Sequence, residues 1–267
     1  MNLPIKGDDV AMNSTHIWQS DHYDNKLDFV SELGKGVVEL LAPTCDEKIL
    51  DLGCGTGELA HLIARSGAIV SGMDLSESMI KTAKEKYPHI NFLVGNGENF
   101  QLTEQVDAVF SNAALHWMTN PRNVLECVWN TLKNEGRFVA EFGGKGNVET
   151  VIQAISKVLD KDYSIDASKL NPWYFPSIAE YSTLLEQQGF HVVYAIHFER
   201  PTRMKDGEQG LSHWLKGFAD NFFRSFTSAE KEKVIDKICA EARNELFENE
   251  DCWYVDYKRI RIIAIKP

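Results

Sequence analysis

Between positions 49 and 58 the chain reads Ile49-Leu50-Asp51-Leu52-Gly53-Cys54-Gly55-Thr56-Gly57-Glu58. A short apolar run meets an acid, then three glycines at alternate positions, and then a helical pattern. A strand that breaks into a glycine-rich turn and resumes as a helix opens a βαβ unit, and the glycines let that turn's backbone approach a ligand closely. Positions 48–142 repeat the alternation. Strand-like runs at 68–73, 90–94, 106–110 and 137–142 each end in polar or glycine residues, which predicts a parallel sheet covered by helices. Between the fourth and fifth runs Val124, Leu125, Val128, Trp129 and Leu132 recur at helical spacing, with Gly136 expected to close that helix. Phe29, Leu33, Val37, Val38, Leu40 and Leu41 mark an earlier helix that Pro43 stops.

Beyond position 142 the pattern changes. A helix is expected over 151–159, then the aromatic and proline stretch Asn171-Pro172-Trp173-Tyr174-Phe175-Pro176, and then a helix from Ser177 to Gln188 ended by Gly189. Strands are expected at 191–198 and 253–265, separated by roughly fifty helical residues. The chain therefore reads as one domain over 1–267. Its core is about 26–143, 177–199 and 251–267, and cap insertions fall at about 144–176 and 200–250.

Charge and cysteine usage narrow the partners. Against 28 Lys and Arg stand 39 acids, a net charge of −11, so a phosphate backbone is repelled and nucleic acid is not an expected partner. The 5 cysteines are scattered, with neither CxxC pairs nor a Cys/His ligand spacing; no metal site is expected and reduced thiols suit a cytoplasmic protein. No apolar run is long enough for a signal peptide or a membrane span, so no membrane partner is expected.

The loop chemistry points to a particular class of ligand. A dinucleotide fingerprint, Gly-x-Gly-x-x-Gly, needs its third glycine at position 58, where this chain has Glu58. Asp51 at the strand end repels a pyrophosphate but suits an ammonium or sulfonium group. About twenty residues on, Asp74 ends the second strand, where a carboxylate can accept from both hydroxyls of a ribose; Asp74-Leu75-Ser76-Glu77-Ser78 also fits a helix N-cap.

These motifs carry a resemblance. From about Trp18 to Phe142 the chain resembles the class I S-adenosylmethionine-dependent methyltransferases. The likeness rests on the run from Ile49 to Gly57, on Gly72-Met73-Asp74-Leu75-Ser76, on Gly95-Asn96-Gly97-Glu98 and on Ser111-Asn112-Ala113-Ala114-Leu115-His116-Trp117. The last segment, with Trp18, is similar to the branch of trans-aconitate methyltransferase and the malonyl-carrier-protein methyltransferase of biotin synthesis. The resemblance implies an α/β, Rossmann-like class I methyltransferase fold: a seven-stranded, mostly parallel sheet with an antiparallel last strand, plus a helical cap from insertions. It implies S-adenosyl-L-methionine as cofactor, with S-adenosyl-L-homocysteine as product.

By the same resemblance Asp51, Gly53, Gly55 and Gly57 hold the methionine moiety, Asp74 and Ser76 lie at the ribose, and Leu75 and Met79 sandwich the adenine. Asn96, Gly97 and Glu98 reach the adenine amino group; the family usually has aspartate where Asn96 stands, and an asparagine carbonyl accepts the same bond. Ser111, Asn112 and Ala113 face the methionine moiety, and Trp18 and Tyr23 close the site from the N-terminal side.

For the acceptor the sequence offers His116 as a catalytic residue. It acts as a base toward a hydroxyl or amine, or as a hydrogen-bonding group if the acceptor is an already ionised carboxylate. Trp117 reads as a wall, and Trp173 and Tyr174 as lid elements. The insertion's aromatics, Trp214, Phe218, Phe222, Phe223 and Phe226, have the spacing of core residues. Arg122, Arg137, Arg200 and Arg203 are each able to bind an acidic substrate or to be merely solvated. The expected activity is methylation of a small molecule, with a carboxylate such as trans-aconitate as one acceptor. The alternatives are an NAD-dependent oxidoreductase and a non-catalytic S-adenosylmethionine-binding protein. Oligomeric state is not readable from these features.

Overall fold

The computed structural model describes residues 29–248 and 252–267. Five strands are laid down as the sequence alternates: β1 (Lys48–Leu52), β2 (Ile69–Asp74), β3 (Asn91–Val94), β4 (Val106–Asn112) and β5 (Leu132–Gly143). Late in the chain β6 (His191–Glu199) and β10 (Lys258–Ile265) join them, giving one sheet in the order β3-β2-β1-β4-β5-β10-β6. β1 pairs parallel to β2 and β4, while β10 runs antiparallel between β5 and β6. This is the mostly parallel, seven-stranded sheet that the sequence implies.

Both faces of the sheet are covered, which is why β1 reads as a continuous apolar run rather than an alternating one. On one face α1 (Phe29–Leu41), α2 (Glu58–Ala64) and α3 (Glu77–Lys86) set Val37, Ile63 and Ile80 against Ile49, Phe110 and Val139. On the other, α4 (Pro121–Thr131) and α6 (Ile178–Gln188) set Leu125, Val128 and Leu185 against Leu50, Val109 and Ile262. Ser177 caps α6 by accepting from the Glu180 N–H, and Gly189 ends it at φ 111°, a backbone conformation that favours glycine.

A third core lies beyond the sheet. α5 (Glu149–Tyr163), α7 (Gly210–Phe218) and α8 (Ser228–Leu246) bury Val151, Ile155, Leu211, Leu215, Val234 and Ile238 together with Trp253. Thr227 and Glu230 form a reciprocal capping box at the start of α8. Among the described residues no helix is long and apolar enough to cross a membrane.

Two expected elements differ. The run at 253–265 is two strands: β9 (Cys252–Val255) leaves the main sheet to pair with β7 (Thr202–Arg203) and β8 (Phe247–Glu248). Asp256 makes the break, because its Oδ2 accepts from the Thr150 N–H at the start of α5 at 2.9 Å and its carbonyl accepts from Val148 at 3.0 Å. In the second case α4 ends at Thr131 and β5 starts at once, with Glu135 rather than Gly136 taking positive φ, 64°. Gly136 instead permits close packing, since a Cβ there would lie 2.8 Å from the Lys133 carbonyl.

One buried charge joins β5, β10 and the chain just past β6. Glu141 is 1% exposed; its Oε2 accepts from Arg261 Nε at 2.5 Å and its Oε1 meets Arg200 Nη1 at 2.7 Å. Removing the carboxylate leaves two partly buried guanidinium groups without their counter-charge. Glu141→Ala is therefore expected to cost about 2–3 kcal/mol, discounted from a fully dry site because both arginines keep some water. A lower urea midpoint at unchanged slope would show it, and a midpoint equal to the parent's would contradict it.

Candidate active site

The glycine turn after β1 sits against the loop after β4. Gly53 has φ 78°, and a Cβ on it would lie 2.2 Å from the Ala114 Cβ, so only glycine fits that contact. Gly55, at φ 54°, is the opposite case: nothing lies within 4 Å of where its Cβ would be, so the turn presents bare backbone to open space. Gly57 begins α2 at φ 86°.

Two carboxylates flank this turn. Asp51 is 2% exposed and its Oδ2 has no hydrogen-bond partner. Burial, with the neighbouring Asp74 charge, pushes its carboxyl up to about 8. Asp74 is fixed by the backbone: Oδ2 accepts from Gly55 N–H at 3.0 Å and Oδ1 from Ser76 N–H at 2.9 Å. Burial raises its pKa and these donors pull it back. An unsatisfied carboxylate oxygen beside an open glycine turn suits a ligand that brings positive charge, and Asp74's remaining lone pairs suit neutral hydroxyls.

The other expected cofactor residues border the same end of the sheet. Leu75 is 42% exposed, whereas Met79 is buried and its N–H is held by the Ser76 hydroxyl that caps α3. After β3, Asn96 Oδ1 accepts from Glu98 N–H at 2.9 Å, and Glu98 Oε1 accepts from Asn120 N–H at 2.9 Å. Gly97 lies under Met118, whose Cε would be 2.7 Å from an added Cβ. Ser111 Oγ donates to the Leu52 carbonyl at 2.8 Å, tying β4 to β1, and Asn112 is buried against Gly34 of α1. Ala113 turns the chain at φ 55°, its N–H bonded to the Glu141 carbonyl at 2.7 Å. Trp18 and Tyr23 lie outside the described residues.

Ala113 also lines a small cavity, about 40 Å³, that opens between the sheet and the cap. Its walls are aromatic: Trp117, Trp173, Phe175, Trp214, Phe218 and Tyr257. Three polar side chains interrupt them. His116 is 7% exposed and its Nδ1 accepts from Gly143 N–H at 3.4 Å, which assigns the ring proton to Nε2. Burial and the nearby Arg259 charge hold it well below the usual histidine range, so the ring is neutral at pH 7. Asn147 Oδ1 accepts from Lys258 N–H at 2.9 Å, which leaves its amide nitrogen as the donor at the cavity. Arg259, 4% exposed, stands opposite Gly143 on β10. All three stand on the cavity wall, the Arg259 guanidinium 4.5 Å from the centre of the Tyr257 ring.

Some acceptor expectations change. Tyr174 does not line the cavity: its hydroxyl donates to Glu180 at 2.8 Å, and its N–H anchors the stretch to the His116 carbonyl at 2.9 Å. Trp173 does line it, as does its neighbour Phe175. The four arginines singled out from the sequence are used elsewhere. Arg137 forks onto Glu47 at 2.6 and 2.9 Å, Arg200 pairs with Glu141, Arg122 reaches Gln187 and Arg203 reaches Cys252. Arg259 escaped the sequence reading. Its signal was an arginine on the alternating face of a strand whose other face, Ile260, Ile262 and Ala264, is wholly core.

The chain matches the family model described as "Methyltransferase domain" over residues 50–140. It is 35% identical to an uncharacterized methyltransferase of Schizosaccharomyces pombe, over 93% of this chain and 98% of the relative. To the trans-aconitate 2-methyltransferase of Deinococcus radiodurans it is 24% identical, over 94% of this chain and 98% of that one. In fold it is similar to phosphoethanolamine N-methyltransferase 2 of Haemonchus contortus, solved with S-adenosyl-L-methionine, at a TM-score of 0.55 and 16% identity over 88% of this chain and 52% of that one. A relative at 35% identity over 93% of the chain, the sheet order and the acid-flanked glycine turn agree: the chain belongs to the class I S-adenosylmethionine-dependent methyltransferases and takes S-adenosylmethionine as its methyl donor.

Proposed function

We propose that the acceptor is a small molecule methylated on a carboxylate oxygen, giving a methyl ester. The observation that carries this reading is the buried Arg259 guanidinium on the cavity wall beside a neutral His116 and the Asn147 amide. S-adenosylmethionine supplies a methyl on a cationic sulfur; as the O–CH₃ bond forms, the S–CH₃ electron pair returns to sulfur, leaving neutral ester and neutral thioether. A carboxylate needs no deprotonation, so a neutral His116 with its proton on Nε2 serves as a hydrogen-bond donor that orients the acceptor, not as a base. The cap's aromatic wall excludes water from the transfer. The trans-aconitate 2-methyltransferase relative fits a carboxylate acceptor. Neither an NAD-dependent oxidoreductase nor a purely binding protein draws comparable support. An acidic surface of net charge −11 remains unfavourable to nucleic acid.

On the donor side, Asp51 and the turn around Gly53 and Gly55 hold the methionine moiety, Asp74 the ribose hydroxyls, and Leu75 with the Asn96–Glu98 segment the adenine. Asp74→Ala is expected to weaken S-adenosylmethionine binding at least tenfold, about 1.4 kcal/mol, through loss of a charged acceptor. Unchanged affinity by calorimetry would remove that role.

Asp51 adds a pH signature. Its carboxyl, raised to about 8 in the free protein, holds a proton at pH 7; a bound ammonium favours the ionised form, so binding releases that proton. Affinity should therefore rise from pH 6 to 8 and level off above. Titrations at pH 7 in buffers of different ionisation heat should report net proton release, and Asp51→Asn should abolish it. A flat profile in the parent would dissociate Asp51 from the cofactor.

On the acceptor side, Arg259→Leu should raise the acceptor KM roughly 30-fold, about 2 kcal/mol, and Arg259→Lys by less, because lysine keeps the charge without the planar fork. The S-adenosylhomocysteine Kd should stay within about twofold. Parallel losses in both would make Arg259 a structural residue.

A further inference from the structure

Given a carboxylate acceptor, we infer that the molecule is a monocarboxylate with a flat or extended apolar body, and that the aromatic cage around Trp173 excludes polycarboxylates such as trans-aconitate.

The donors and the aromatics divide the cavity unequally. His116, Asn147 and Arg259 converge from the loop after β4 and the ends of β5 and β10 around Gly143. Gly143 itself can carry no side chain there, since a Cβ would lie 2.5 Å from Phe175 Cε1 and 2.9 Å from Asn147 Nδ2. One guanidinium fork, one imidazole N–H and one amide match the oxygens of a single carboxylate. Among the described residues lining the cavity, Arg259 alone is cationic.

The rest of the wall has little to offer a second anion. Trp173 packs its ring 5.8 Å from Trp117, 5.8 Å from Phe175, 6.0 Å from Trp214 and 5.7 Å from Phe222. The cage is thus held by ring-on-ring contacts before any ligand enters. Trp214 Nε1 donates to the Tyr257 hydroxyl at 2.5 Å, so this indole spends its polar edge inside the wall and faces the cavity as hydrocarbon. A tricarboxylate bound through Arg259 would bury further carboxylates against these faces, which is strongly unfavourable without counter-charges. An apolar body gains there by burial and by stacking. The protein's net charge of −11 also slows the approach of a trianion more than that of a monoanion.

The test compares kcat/KM for three probe sets, together with binding of each probe to the S-adenosylhomocysteine-loaded protein. The sets are monocarboxylates (trans-cinnamate, phenylacetate, trans-2-octenoate), polycarboxylates (trans-aconitate, tricarballylate) and non-carboxylates of the same shape (cinnamyl alcohol, phenethylamine). Monocarboxylates are expected to exceed trans-aconitate at least 100-fold in kcat/KM and to bind the loaded protein. Trp117→Arg, which puts a second cation on the half-buried part of the wall, should narrow that ratio at least tenfold while S-adenosylhomocysteine affinity stays at the parent value. Equal or better turnover of trans-aconitate by the parent would overturn the inference and leave the carboxylate reading standing. Transfer to the alcohol or amine alone would overturn both. Failure of every monocarboxylate to bind or react in protein that binds S-adenosylhomocysteine would overturn the inference as well.

Discussion

The proposed donor site depends on two neighbouring carboxylates near the ends of β1 and β2, Asp51 buried and Asp74 half-buried. Burying Asp51 and Asp74 together is unfavourable, as the upward pKa displacement of both acids records. Asp74 is offset by two backbone N–H groups, that of Gly55 in the positive-φ glycine turn and that of Ser76 at the extended N-cap after β2. Asp51 has no such relief at Oδ2. In the donor assignment proposed above a cationic ligand supplies the missing counter-charge, and the cost of holding these acids away from water in the free protein is returned on binding.

A second constraint follows from the antiparallel strand. Inserting β10 between β5 and β6 carries a late segment of the chain to the same carboxyl-end rim as the glycine turn. Arg259 and Arg261 fall on one face of β10, opposite Gly143 and Glu141 of β5. Glu141 answers Arg261 and Arg200, closing a structural ion cluster. Gly143, lacking a side chain, leaves Arg259 facing the cavity. Two arginines two residues apart thus divide into one held in an ion cluster and one on the cavity wall over the Tyr257 ring, and the partner strand makes the division.

This explains what the sequence disclosed and what it did not. Whereas the seven-stranded sheet with its antiparallel strand followed from the family resemblance, the first five strands and the turn at Gly53 to Gly57 were legible because they depend on local chemistry, periodicity and glycines after an acid at a strand end. Arg259 was not, because its environment is set by β5, more than a hundred residues earlier, and by a cap segment whose spacing says only that it is helical. The break at Asp256 was hidden for a related reason, since its cause is the start of α5 at Thr150. Adjacency in sequence hides direction in the stretch 173–175: Trp173 and Phe175 line the cavity while the Tyr174 hydroxyl turns to Glu180.

The two halves of the active site therefore rest on different physics. In the proposed assignment the donor side is built from glycine geometry, backbone donors and two strand-end carboxylates on the sheet. The proposed acceptor side is built from rings that also belong to the cap's own core: Trp173, Trp214 and Phe218 pack with Leu215, Phe222 and Val234. Enlarging or repolarising that wall removes core packing in the same step, at roughly 3–5 kcal/mol for a buried aromatic truncated to alanine. In the proposed assignment, acceptor preference and cap stability are thus coupled through shared side chains, and the loop after β4 that packs on Gly53 joins the two sides. Changes of acceptor are accommodated most cheaply at wall positions that are only half-buried, such as Trp117, which stands at the end of the loop carrying His116.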